Sequence, residues 1–146
     1  MFASKTDIQS WLRSDKIPVD DANSTKSNID ATRIVKGQLT GVFTPIVVSS
    51  WADPDSTPDL IRGVTGRLAA AFLHASIYSE ESDSKISAYS QWLYDGAMLI
   101  LTQIISGSMT VIDETGEPVD TTGQGLLSFF PDDSTTPAFT MDQTFS

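Results

Sequence analysis

The hydrophobic pattern is strongest between Ser84 and Ser106, where apolar residues recur at steps of three and four. That spacing places them on one face of an α-helix. The positions on this face are Ile86, Leu93, Ala97, Ile100, Leu101 and Ile104. A membrane span is not predicted, because Asp95 and Gln103 interrupt a run that would need about 18 nearly uncharged apolar residues. The pattern therefore predicts a long buried helix over 84–106.

This helix is also apolar away from its main face, at Trp92, Leu99 and Ile105. A helix that is apolar on more than one side is buried or is covered on its second side by a partner. Gly96 costs about 1 kcal/mol relative to Ala in a helix, so we expect another backbone to approach closely there. Trp92, Gly96 and Leu99 are therefore predicted to form a helix-packing interface, and Gly107 is predicted to end the helix.

Two shorter patterns predict helices before the chain midpoint, at about 4–13 and 20–42. Ser4 can cap the first helix with Asp7 at its third position, which is an acidic form of the capping box. Trp11 is predicted to anchor this helix in the core, with a surface contact as the alternative. The first half of the second helix is polar and poor in helix formers, so it either depends on its neighbours or remains mobile.

The third predicted helix covers about 58–78. Thr57 precedes a proline and an acid, a strong helix-start signal. Gly63 and Gly66, with Ala69, Ala70 and Ala71, leave parts of this helix thin, and we expect the helix at 84–106 to pack closely there.

The connections between these helices predict little regular structure. Residues 43–55 are interpreted as an ordered connector, in which Ile46–Val48 either pair briefly as a strand or pack over the helices. Residues 109–113 alternate and are β-branched, and 119–122 can return as the second strand of a hairpin. The predicted fold is mainly α: a four-helix body with a short β-hairpin at about 109–122 and an extended C-terminal arm. We divide the chain into a helical domain, 1–122, and the arm, 123–146.

The arm has no helical or strand period, yet it is rich in large apolar side chains. The residues concerned are Leu126, Leu127, Phe129, Phe130, Phe139, Met141 and Phe145. A solvated tail is normally poor in aromatics. The segment either folds back on its own domain or docks on other chains with these residues as anchors. We favour docking, because the helices already supply enough apolar surface for their own core.

Charge and composition narrow the function classes. The 146 residues suit a single domain, and the net charge is −10. The nine basic residues are scattered, which disfavours nucleic-acid binding because phosphate contacts need clustered Lys and Arg. The acidity favours solubility or, alternatively, a surface that DNA passes without sticking. The absence of cysteine excludes disulfides, and the start of the sequence lacks the features of a signal peptide, which predicts assembly in the cytoplasm.

Candidate chemistry is sparse, and no catalytic, cofactor-binding or metal residue is predicted. His74 is the single histidine and is interpreted as a partly buried structural residue. The acid pairs at 20–21, 80–81 and 132–133 lie in polar turns, where capping or solvation is the usual role. A catalytic carboxylate pair would need burial to separate its two pKa values. An enzyme is therefore not expected.

Three stretches carry a resemblance to a known family: PDLIRGVTGRLAAAFLHASIYSEES, YSQWLYDGAMLILTQIISG and the closing FFPDDSTTPAFTMDQTFS. With the order of elements around them, they resemble the head-to-tail connector proteins (adaptor or head-completion proteins) of long-tailed bacteriophages. The resemblance covers nearly the whole chain, and the phenylalanine–proline ending is its most specific part.

The resemblance implies a virion structural protein of the phage neck. Such proteins form a ring of about twelve copies below the portal, extend the DNA channel and dock the next neck or tail protein. The implied partners are other copies of the chain, the portal protein and the next neck or tail protein, while DNA passes without specific binding and no membrane is involved. The alternatives are another phage neck or tail-completion protein, a class that tends to be β-rich, and a small metal-binding helical enzyme or regulator.

Overall fold

A computed structural model describes residues 1–12, 21–77 and 84–121 of the chain. This part is mainly helical, as predicted, and contains five α-helices instead of four. They are α1 (Lys5–Gln9), α2 (Asp21–Leu39), α3 (Pro45–Ser50), α4 (Asp59–Ile77) and α5 (Ser84–Ser106). A single 3₁₀ turn, Pro54–Ser56, lies between α3 and α4.

Helix α4 is the centre of the body, because α1, α2 and α5 all pack against it. Alanines and branched apolar residues line most of its circumference and are buried. Its buried apolar residues are Ile61, Val64, Leu68, Ala69, Ala70, Ala71 and Leu73. The predicted inner face of α5 is confirmed at Leu93, Ala97, Leu101 and Ile104, which join the same core. Such close packing is what holds a small helical domain together.

The predicted helix starts are more accurate than the predicted ends. The capping box of α1 is confirmed: the Asp7 amide donates to Ser4 Oγ at 3.2 Å, and the Ser4 amide donates to Asp7 Oδ2 at 2.7 Å. Helix α1 ends at Gln9, earlier than predicted, and α2 ends at Leu39 instead of 42. Helix α5 has the predicted bounds.

Helix α3 corrects the interpretation of Ile46–Val48 as a brief strand. Thr44 caps this helix, with its Oγ1 accepting from the Val47 amide at 3.3 Å, and Pro45 occupies the first helical position. Proline suits that position because its φ is already helical and no N–H is needed. Val48 is buried, whereas Ile46 is 84% exposed. The β-branched run is therefore overridden by the local capping signal.

The polar first half of α2 is helical because the N-terminal segment packs on it. Asn28 Nδ2 donates to the Ala3 carbonyl at 2.5 Å, and the Phe2 amide donates to Thr32 Oγ1 at 3.1 Å. The Phe2 ring is buried and meets Trp51 edge-on, with ring centroids 5.8 Å apart. Tertiary contacts thus compensate for weak helix propensity.

The predicted β-hairpin is not shown, and the residues that the structure describes contain no strand. A single antiparallel bridge joins Ile112 to Pro118, and a second joins Phe43 to Thr121. The Asp113 amide donates to the Glu117 carbonyl at 2.8 Å, and this bond closes a tight turn directly after Ile112. The Val119 amide donates to the Val111 carbonyl at 2.9 Å, so Ile112 and Pro118 face each other as a non-hydrogen-bonded pair between these two bonds. Residue 122 and the predicted boundary after it lie outside the described residues.

Helix α5 packs on α4 as predicted, and this is the most extensive contact between two helices of the described residues. At Gly66, however, the close neighbour is α1. A Cβ on Gly66 would lie 3.0 Å from Asp7 Cβ and 3.1 Å from the Asp7 carbonyl carbon. Arg62, one turn earlier on α4, binds the same Asp7, with Nη2 3.2 Å from Oδ2. Gly63 is exposed, and a Cβ there would meet no described atom within 4 Å.

Candidate interaction surface

The outer face of α5, defined here as Ala88, Trp92, Asp95, Leu99 and Thr102, is opposite the face that packs on the core. All five residues are exposed. Trp92 is 55% exposed and Leu99 is 59% exposed, which is high for side chains of this size. They lie two turns apart on the same side of the helix. Of the predicted interface residues, these two are therefore accessible for a contact.

Arg67 of α4 holds Trp92 in place. Its Nε donates to the Leu93 carbonyl at 3.0 Å and its Nη2 donates to the Trp92 carbonyl at 3.1 Å. The guanidinium carbon is 4.4 Å from the centroid of the Trp92 ring and 5.0 Å from that of Trp11. Such cation–π contacts are worth about 0.5–1 kcal/mol each at exposed sites. The exposed indole thus has a pre-ordered support.

Gly96 provides the space that Arg67 occupies. A Cβ on Gly96 would lie 1.9 Å from Arg67 Nη2 and 2.1 Å from Cζ. A close approach at Gly96 was predicted correctly, but the predicted neighbour was wrong. The space is filled by the side chain of Arg67 and not by a backbone. Any larger residue at 96 must displace the guanidinium from both carbonyls.

Tyr89 and His74 extend this cluster along α5. The Tyr89 ring stacks on Trp92 with centroids 5.8 Å apart, and its hydroxyl donates to the Trp11 carbonyl. His74 is buried, as expected of a structural residue, and its Nδ1 lies 2.5 Å from Ser90 Oγ. Burial lowers the pKa of His74 below its usual value of 6.5, which favours the neutral ring.

Arg67 is not among the residues predicted from the sequence, and Trp11 is predicted as a core anchor with a surface contact as the alternative. Trp11 is partly buried and contacts both the core and the exposed cluster, meeting Trp92 edge-on at 6.4 Å. Trp11 lies in the turn after α1, Arg67 on α4 and Trp92 on α5, and no spacing in the sequence relates them. The one available signal was the second arginine of α4, which directly precedes its alanine-rich part.

The predicted arm anchors, Leu126, Leu127, Phe129, Phe130, Phe139, Met141 and Phe145, lie outside the described residues. Their role stays a prediction. The chain is described up to Thr121, which bridges to Phe43 just after the end of α2. The described part of the chain therefore ends beside the C-terminal end of α2.

Charge is unevenly distributed along the chain. After Lys85 the sequence contains eight acidic residues and no Lys or Arg. Four of these acids occupy the exposed segment 113–120. By contrast, α2 presents the exposed cations Lys26, Arg33 and Lys36. The molecule thus has an acidic end and a basic helix face.

The four acids of segment 113–120 line a common depression beside Trp51 and Pro58. Asp113 Oδ1 accepts from Thr115 Oγ1 at 2.6 Å, from the Thr115 amide at 2.9 Å and from the Glu117 amide at 3.0 Å. These bonds, led by the one from Thr115 Oγ1, lower the pKa of Asp113. Within the described ranges, no group of three or more His, Cys, Asp or Glu residues could hold a metal ion.

Comparison with known proteins adds no relative: neither protein-family models, nor curated proteins, nor solved structures gave a match. Among the residues that the structure describes, no helix is both long enough and apolar enough to cross a membrane.

Proposed function

We propose that the protein is a structural component of a bacteriophage virion, a head-to-tail adaptor that forms a ring beneath the portal. In this role it extends the DNA channel and docks the next neck or tail protein. The observation that carries the proposal is the outer face of α5, where Trp92 and Leu99 are exposed on a rigid helix. Exposed tryptophans on ordered supports are frequent hot spots of protein–protein interfaces.

Two further features support an assembly role over a catalytic one. The side chains around Trp92 are bound to one another by ring contacts and to backbone carbonyls, an arrangement that orders a contact surface. The acidic second half of the chain suits a surface along which DNA slides, because like charges prevent binding to phosphate. A mainly helical body also counts against the alternative of a β-rich tail-completion protein.

A ring places specific demands on the subunit surface. Each copy must contact its neighbours through two different patches, since the contact is heterologous and closes by rotation. Both α2 and α5 pack mainly on α4. The α5 face, with Trp92 and Leu99, is the patch assigned here to one neighbour. The arm, 123–146, is assigned to a neighbour or the portal.

The test is the mass of the purified protein, measured by light scattering and negative-stain imaging, alone and with its portal protein. We expect rings, either alone or on the portal, and we expect Trp92→Ala with Leu99→Ser to abolish them without unfolding the chain. Ile46→Ala is the matched control, because it removes an even more exposed apolar side chain from α3. A monomer that never engages a portal would contradict the proposed function. Rings that persist in the α5 variant would reject only the assignment of this face.

A further inference from the structure

We propose that in the isolated subunit the C-terminal segment, residues 122–146, docks along the outer face of α2 of its own chain. This proposal deepens the role of the arm in the proposed function, but its test does not depend on ring formation. Three independent features point to this site: the position at which the described chain ends, the charges of the two surfaces and the apolar residues that each presents.

The outer face of α2 is defined by Ala22, Lys26, Ile29, Arg33 and Lys36. These positions lie opposite the buried positions Ala31, Val35 and Leu39 of the same helix. Ile29, like Ile34 beside this face, is 36% exposed. A shallow depression along the N-terminal part of the face is lined by Ala22, Thr25, Lys26, Ile29, Asp30 and Arg33.

The described chain ends near the C-terminal end of α2. Thr121 bridges to Phe43, four residues after α2 ends at Leu39. The 25 residues that follow can span up to about 80 Å when extended. Helix α2 has 19 residues and is about 28 Å long. The segment can therefore run along the whole of α2 and has length to spare.

The charges of the two partners are opposite. Residues 122–146 contain Asp132, Asp133 and Asp142 and no Lys or Arg. The α2 face has three exposed cations against one described carboxylate, Asp30, whose Oδ1 lies 3.6 Å from Arg33. By contrast, the rest of the chain after Lys85 is acidic and would repel the segment. Opposite charges steer the segment to α2 and fix its register.

The apolar groups complete the match, because the segment has four phenylalanines and the α2 face presents one partly exposed isoleucine, Ile29. Tethering favours the site on the same chain, since a short linker gives an effective concentration in the millimolar range. Release of the segment from α2 is then the step that frees the arm for a neighbour or the portal.

The test is zero-length carbodiimide cross-linking of the full chain, which joins a lysine to a carboxylate only when the two are in contact. A mixture of ¹⁴N and ¹⁵N protein, digested with chymotrypsin and read by mass, separates links within one chain from links between copies. We expect Lys26 and Lys36 to link to Asp132, Asp133 or Asp142 within one isotope only. Mixed-isotope links would overturn the proposal by showing that the segment binds another copy. It would also be overturned if these links were absent, or if the segment linked equally to Lys5 on α1.

A charge reversal, Arg33→Glu, tests whether the charges of α2 hold the segment. It leaves both lysines that report the links, Lys26 and Lys36, in place. We expect it to lower the yield of the α2 links by about threefold, and we expect salt to lower the yield further. Lys5→Glu is the matched control and should leave the yield unchanged. An equal yield in Arg33→Glu would show that the α2 charges do not hold the segment. Since cross-linking reads contacts in any oligomeric state, its failure is distinguishable from a failure to form rings.

Discussion

Helix α4 contacts α1 and α5 at two glycines, Gly66 on α4 and Gly96 on α5, and what fills the space differs between the two sites. At Gly66 the filling atoms belong to the Asp7 backbone and Cβ, whereas at Gly96 they are the guanidinium of Arg67. A backbone within a capped helix cannot move by itself, but the end of an arginine side chain can. The α1 contact is therefore fixed, and the α5 contact is adjustable and supports an exposed tryptophan.

The largest effect should come from the fixed contact. Gly66→Leu must push α1 away from α4, because its side chain would occupy the position of Asp7. The buried Ile8 of α1 would lose its packing with α1 displaced. We expect the free energy of unfolding, measured in urea, to fall by about 3 kcal/mol.

Gly63→Leu is the matched control, since it makes the same change on an exposed position of the same helix. There the better helix propensity of leucine should raise the free energy of unfolding by up to about 0.8 kcal/mol. Equal effects at 63 and 66 would mean that α1 does not rest on Gly66.

At the adjustable contact, the effect of Gly96→Ala on the free energy of unfolding should change sign when Arg67 is removed. Arg67→Ala should cost about 1–2 kcal/mol, because two hydrogen bonds and two cation–π contacts disappear. Gly96→Ala should destabilise the natural chain by displacing Arg67. In the Arg67→Ala background it should instead stabilise by up to about 1 kcal/mol through helix propensity. A double-mutant cycle in urea measures this coupling, and additive effects would contradict the assigned filling of Gly96.

The contact between α1 and α4 can be tested through the effect of the Asp7 carboxylate on stability at low pH. Partial burial acts to raise its pKa, but hydrogen bonds from Ser4 and Arg62 outweigh burial and leave the pKa below 3.8. A depressed carboxyl pKa stabilises the fold above the unfolded value and loses that contribution as pH falls below it. Asp7→Asn should therefore cost about 1 kcal/mol at pH 7.

The difference between Asp7→Asn and the natural chain should shrink as pH falls through and below 3.8, as measured by urea unfolding at several pH values. A constant difference down to the lowest pH would show that the Asp7 carboxylate is not held by Ser4 and Arg62.

The smallest effect on stability should come from His74, which contacts α5. This effect should appear at higher pH than that of Asp7. Its pKa is lowered by burial, so the folded chain binds fewer protons than the unfolded chain between the lowered value and 6.5. Stability from the neutral ring is complete above 6.5 and decreases as pH falls below it. We expect His74→Gln to flatten the stability profile below pH 6.5, while Ser90→Ala, which keeps the imidazole, retains the slope. A nuclear magnetic resonance titration that gives His74 a pKa of 6.5 or above would contradict this account.

Capping signals in the sequence precede three helices, and two of these helix starts were predicted. Ser4 with Asp7, and Thr57 before Pro58, correctly placed the starts of α1 and α4. Thr44 and Pro45 carry the same signal, but residues 43–55 are interpreted from the sequence as a connector, and α3 is not predicted. The candidate surface was predicted only at the α5 positions, because Trp92 and Leu99 stand out from the helical period, whereas their support by Arg67 has no local signal.

The sequence alone determined where the long helices lie and which of their faces are buried, because period and capping depend on residues three or four apart. Only the tertiary structure decided what meets those faces. It placed α1 at Gly66, put Arg67 in the space at Gly96, and seated Phe2 and Ala3 on the polar half of α2. Each of these contacts joins residues 25 or more positions apart, and its fit depends on side-chain shape and backbone position in three dimensions. A linear pattern does not contain that information.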